Sequence, residues 1–251
     1  MFFLGRGETE VNKKQELQKM RFSVQLVFVC VLILGASFIA SAQSDRVIDP
    51  KSITFKMEFF EAPSLPTTGG IQVTSSSGLK WLTAMITYVP TLNYEESRRS
   101  NAKQFRWLDD FSVTLHVIVP AREGYGRYAL LSGKQVFWSV PEDGQTHRAF
   151  FAIPPQILKR YGVFNKMNRE TASALPALVE FRNKEQVLLA RYYYIPKKQN
   201  QQNVIRSFSQ IMGANVGFLK LPSAILPKEQ TPWNLVEVDS FDLSKSAVEG
   251  K

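Results

Sequence analysis

Apolar and polar residues alternate strictly along Ile53-Thr-Phe-Lys-Met-Glu-Phe59. A period of two puts successive side chains on opposite faces of an extended chain, so this segment is predicted as a strand with one buried face. Pro63 and Pro66 break the pattern, and Gly69-Gly70 and Ser75-Ser-Ser-Gly78 read as turns around a short run, Ile71-Gln-Val73. Leu79 to Val89 is a second long strand, carrying Trp81, Met85, Ile86 and Tyr88 and ended by Pro90. The polar stretch 91–107 is expected as a loop or a short exposed helix. Phe111 to Val119 is the clearest strand, since β-branched content and alternation agree.

Arg127 to Leu131 and Lys134 to Val140 flank Ser132-Gly133, which predicts a hairpin over a two-residue connection. His147 to Ile153 is a further strand stopped by Pro154-Pro155. Gln156 to Tyr161 then reads as one or two helical turns closed by Gly162. Ala177 to Arg182 and Gln186 to Ile195 form a second hairpin across Asn183-Lys-Glu185. Val204 to Met212 fits a short helix or a strand, and Val216 to Leu221 a short strand ended by Pro222. The last apolar run, Trp233 to Val238, is expected as the chain's own final strand. Many short strands with turn signals between them predict an antiparallel β-sandwich or barrel.

A different pattern precedes these strands. Lys13, Lys14, Lys19 and Arg21 lead into an apolar run from Val24 to Ala40, which ends on Ala40-Ser-Ala42. A basic start, an apolar middle and a small-residue end are the three parts of a secretory signal peptide, expected over residues 1–42. Met20 is an alternative start. An uncleaved anchor is the competing reading, because the run approaches the roughly 20 residues a spanning helix needs. The Ala-Ser-Ala end favours cleavage after Ala42. The body is then residues 43–222, followed by a C-terminal strand or tail over 223–251.

Composition narrows the chemistry. The chain has 251 residues, 31 basic and 22 acidic, with one cysteine and two histidines. Five basic and three acidic residues precede Gln43, so 26 basic and 19 acidic follow, a net charge of +7. The basic residues are scattered, which reads first as solubility. Cys30 lies inside the apolar run and leaves with it, so no disulfide is expected in the exported chain.

No reactive constellation emerges. His116 lies mid-strand and is expected as an ordinary strand residue on the face opposite Leu115. His147 follows Glu142 and Asp143, a set that could hold a divalent metal, but Pro141-Glu-Asp-Gly144 reads better as a turn. Gly124-Tyr-Gly-Arg-Tyr-Ala129 matches a dinucleotide-binding pattern formally, yet it runs into a strand and not a helix. Glu95 with Glu96, and Asp109 with Asp110, are sequence neighbours that point apart on a strand, so neither pair reads as an acid–base couple. Arg191-Tyr-Tyr-Tyr-Ile195 is expected to pack one aromatic face in the core and to leave a ladder on the other. No catalytic residue, cofactor or metal ligand is expected. The segments 91–107 and 223–251 are the expected contact surfaces.

The order of a signal peptide, Ile53-Thr-Phe-Lys-Met-Glu-Phe-Phe-Glu61, a cysteine-free β-rich body and the Pro-rich tail around Trp233 resembles a known group. It is similar to the immunoglobulin-like, pilus-associated proteins of type IV pilus-like gene clusters in Verrucomicrobia such as Akkermansia. The resemblance covers most of the exported chain. It implies a mainly β, antiparallel immunoglobulin-like sandwich with one or two short helices. It also implies a non-enzymatic envelope protein whose partners are proteins of a pilus-like assembly. A pilin keeps its apolar helix, and Ala40-Ser-Ala42 departs from that, which favours an accessory over a filament subunit. No nucleic-acid partner is expected, and membrane contact only through an uncleaved N-terminal segment. A secreted glycan-binding module or carbohydrate-active hydrolase is the alternative.

Overall fold

The computed structural model describes residues 47–62, 80–96, 103–122, 127–162, 164, 166–213 and 218–234. They belong to one compact unit that begins at Arg46. The expected signal peptide over residues 1–42, the run Ile71–Val73 and the tail beyond Asn234 lie outside the described residues.

In chain order the strands are β1 (Thr54–Phe60), β2 (Trp81–Tyr88), β3 (Tyr94–Glu96), β4 (Lys103–Phe105), β5 (Trp107–Asp109), β6 (Ser112–Pro120), β7 (Tyr128–Val136), β8 (Ser139–Pro141) and β9 (His147–Ile153). Helices α1 (Pro155–Tyr161) and α2 (Arg169–Ser173) follow, then β10 (Ala177–Arg182), β11 (Leu188–Tyr194), helix α3 (Gln201–Gly213), β12 (Leu219–Leu221) and β13 (Leu226–Pro227). A four-stranded sheet has the order β1-β2-β9-β13, and a five-stranded sheet the order β11-β10-β6-β7-β12. Pairing within both is antiparallel except for β12, which runs parallel to β7. The expected mainly β, antiparallel sandwich is the architecture found.

Alternation builds the core. Met57, Leu82, Ala84, Ile86 and Phe151 from one sheet meet Val113, Leu115, Val117, Val179 and Phe181 from the other in a single buried cluster. Tyr88 links the layers, with its ring centroid 5.5 Å from Phe111 and 5.2 Å from Phe181. Such tilted aromatic pairs add to the area term of burial.

Two expectations need correction. Ser132-Gly133 is not a turn: β7 runs unbroken from Tyr128 to Val136, with Ser132 opposite His116 and Gly133 opposite Leu115. The glycine serves close approach instead. A Cβ on Gly133 would lie 2.1 Å from the Ile225 carbonyl oxygen, and the Ile225 amide donates to the Ser132 carbonyl at 3.1 Å. Segment 91–107, expected as a loop or a short helix, is mostly strand where it is described, with 91–93 and 106 irregular. β3 and β4 pair as an antiparallel ribbon, and β5 pairs with β8. Within the segment expected as a C-terminal strand or tail, Leu226-Pro227 joins β9 at the edge of the four-stranded sheet. The proline is tolerated there because an edge strand does not need every amide.

Helix α1 starts with Pro155 in its first turn and carries Lys159 and Arg160 in its last, where cations suit the negative end of the helix. Helix α2, which sequence periodicity does not announce, is capped by Asn168, whose Oδ1 accepts from the Thr171 amide at 2.9 Å. The ambiguous run Val204–Met212 is helical. Val204, Phe208 and Ile211 form one buried stripe at spacings of four and three, and Asn200 Oδ1 accepts from the Gln202 amide at 2.9 Å.

Candidate functional site: a cleft beside the third helix

Helix α3 lies on the outer face of the five-stranded sheet. Its stripe packs against Ile118, Leu130 and Leu178, with Tyr128 and Tyr193 at the margin. These residues alternate with core residues along their strands, so this end of the sheet is buried on both faces. The other end of the same face is polar, and it holds the residues that sequence reading singled out.

His116 faces outward there, opposite the buried Leu115, as expected. Its Nδ1 lies 2.7 Å from Ser132 Oγ on the paired strand. Burial is the main cause that lowers its pKa below 6.5; the Glu180 carboxylate opposes this, and Arg191 and Arg182 add to it. Glu180 is almost fully buried, and its carboxylate accepts from Arg182 Nη2 at 2.9 Å and from Arg191 Nε at 3.0 Å. Burial alone would raise its pKa, but the hydrogen bonds from Arg182 and Arg191 outweigh this and the net shift is downward. Serine, imidazole and carboxylate thus share one sheet face. The carboxylate, however, is oriented by the two guanidiniums, and in a working triad it would orient the imidazole. The cluster reads as an ion-pair and hydrogen-bond lattice across four strands.

His147 faces inward, stacks on Tyr88 at 5.8 Å and places Nε2 3.0 Å from Asp143 Oδ1. Burial pushes the Asp143 pKa up, but the His147 contact and the Gln145 amide, which donates at 2.8 Å, hold it below its ordinary value. Gly144 has φ +69°, as the expected turn requires. Among the described residues no group of three or more His, Cys, Asp or Glu side chains is arranged to hold a metal ion. Of the glycine-containing pattern, Tyr128 and Ala129 open β7 directly after Arg127, and a strand, not a helix, follows. Asp109 accepts from Ser139 Oγ at 2.8 Å, whereas Asp110 sits in a turn with φ 50°.

The tyrosine run packs on both faces, which corrects the expected exposed ladder. Tyr194 meets Phe55 at 4.9 Å in the main core, and Tyr193 meets Phe208 at 6.0 Å beneath α3. Arg191 turns to Glu180. Trp233 closes onto the outer face of the four-stranded sheet, 5.6 Å from Trp81 and 5.6 Å from Phe150. Trp233 and Asn234 lie in a turn, and Leu235 to Val238 lie outside the described residues.

Sequence reading missed a cleft of about 730 Å³ among the described residues. One wall is the polar edge of α3, the other the segment Ala174–Pro176, and the ends of β6 and β7 form the floor. Ile118, Leu175, Val204 and Ile211 supply buried apolar surface; Asn203 and Gln210 supply exposed amides, and Arg127 and Lys198 cations. The walls are tied together. Gln199 Nε2 donates to the Ala174 carbonyl at 3.2 Å, and the Ile118 amide donates to the Pro176 carbonyl at 3.1 Å. An apolar floor with a few polar groups at its margin is the usual make-up of a binding site of this size. The sequence signal was the helix itself, where amides at 203 and 210 edge the apolar stripe 204, 208 and 211.

No protein-family model and no curated protein matches the sequence. Among solved structures, the fold is similar to a crystal structure of a protein from Akkermansia muciniphila. The likeness has a TM-score of 0.50 at 13% identity and covers 77% of this chain and 95% of that one. At that identity the likeness is one of fold, and it spans nearly the whole of the other chain.

Proposed function

We propose that the protein is an exported, non-enzymatic envelope component that works by protein–protein contact as an accessory of a type IV pilus-like system. The observation that carries this reading is the sandwich fold shared over 95% of a chain from Akkermansia muciniphila. That is the genus in whose pilus-like clusters the sequence resemblance lies. The signal-peptide pattern before Gln43 supports export, and the preformed cleft beside α3 supports a contact role. Rigid sandwiches with irregular segments and clefts at their rims are a common scaffold for binding. In vivo cross-linking of the tagged chain, followed by capture from the envelope fraction, is expected to recover proteins of a pilus-like apparatus. Recovery of soluble cytoplasmic proteins alone would overturn the reading. N-terminal sequencing of the mature product is expected to begin at Gln43.

A further inference from the structure

We propose that the cleft beside α3 is a docking site for an acidic peptide segment with apolar side chains, supplied by a protein partner. The inference deepens the contact role above and rests on it. Three observations fix the chemistry of the occupant. The first is charge: the lining contains Arg127 and Lys198, and no described lining residue is Asp or Glu. The field in the cleft therefore has one sign, which favours carboxylates on the incoming group and repels cations.

The second is the match of polar groups. Asn203 and Gln210 stand along the rim on one wall. A side-chain amide both donates and accepts, so each can pair with the N–H and C=O groups of an extended backbone. The third is the floor. Ile118, Leu175, Val204 and Ile211 are buried aliphatic side chains with room above them. They suit branched apolar side chains better than the flat face of a sugar ring. Two aromatic rings line the cleft, the exposed Phe218 and Tyr128, and Tyr128 already carries the Arg127 guanidinium 5.4 Å from its ring centroid. The four aliphatic floor residues outnumber these rings, which puts a peptide ahead of an oligosaccharide. The hydrogen bonds from Gln199 to Ala174 and from Ile118 to Pro176 hold both walls before any ligand arrives, which lowers the entropy cost of binding.

The test is fluorescence anisotropy on the exported chain with a labelled probe, the heptapeptide Val-Asp-Leu-Glu-Val-Asp-Leu. A counterpart with lysine at the three acidic positions and a sialylated trisaccharide serve as comparisons. The acidic peptide is expected to bind and the lysine peptide not to. The double variant Arg127→Glu/Lys198→Glu is expected to weaken binding by roughly tenfold or more, as is added salt. Both residues are exposed, and an unchanged melting temperature confirms that the variant folds. Equal binding of both peptides, unchanged binding by the double variant, binding of the trisaccharide alone, or no binding at all would each overturn the proposal. Envelope capture with the same variant separates the two levels. If the variant recovers the same partners as the native chain, the cleft assignment falls and the contact role stands. If the native chain recovers none, the contact role itself falls.

Discussion

Gly133 shows how one missing methyl group sets a crossing. The chain passes over β7 at this position, and a Cβ there would meet the Ile225 carbonyl oxygen at 2.1 Å. Backbone, not a flexible side-chain end, must then move. Gly133→Ala is expected to destabilise the fold by about 1–3 kcal/mol, read as a lower midpoint in urea unfolding. A variant as stable as the native chain would show that the crossing relaxes freely.

The buried charges of the polar sheet face make stability depend on pH in two steps. His116 has its pKa lowered, chiefly by burial, so the unfolded chain takes up that proton first. Stability is lost as pH falls from about 6.5 toward the lower folded value. Glu180 is also lowered, despite burial, by Arg182 and Arg191. Its contribution is present above about 4.5 and is lost as pH falls through its folded value. Unfolding midpoints measured from pH 7.5 to 3 should therefore decline in two phases. His116→Asn should remove the upper phase and leave the lower. A profile unchanged by that substitution would assign the upper phase elsewhere.

At the scale of elements, α3 is a cover for one end of the five-stranded sheet. Phe208 is fully buried between Tyr193 and the sheet, so Phe208→Ala is expected to cost about 3–5 kcal/mol. Loosened, the helix would uncover Ile118, Leu130 and Leu178, and hydrophobic-dye binding should rise with the loss of stability. Strand identity was legible wherever length and alternation coincided, as in β1, β6 and β9. It failed where a residue type has more than one physical use. Ser132-Gly133 looks like a turn because glycine favours turns, but here glycine is needed for room. β13, with two residues and a proline, is too short to carry any period. The cleft was not legible at all, because it joins the ends of β6 and β7, the segment after α2 and one edge of α3. The spacing of Asn203 and Gln210 beside an apolar stripe is the only local trace it leaves.

At the scale of the molecule, residues 219–227 bind the two sheets together. β12 pairs with β7 in one sheet and β13 with β9 in the other, with the Ile225 crossing between them. A chain ending at residue 218 would lose an edge strand from each sheet at once. It is expected to unfold well below the native temperature, or in a broad transition, when followed by circular dichroism. A sharp transition at the native temperature would show that each sheet holds without this segment.

The parallel pairing of β12 also has a mechanical consequence. β12 and β7 run in the same direction, so the backbone leaves β12 at the end of the pair remote from the N-terminal end of β7. Tension that reaches β12 in line with the strands loads these hydrogen bonds side by side instead of opening them one at a time. Bonds loaded together yield at higher force than bonds peeled in sequence. Tension that reaches this edge of the sandwich along the strands would thus be borne through shear.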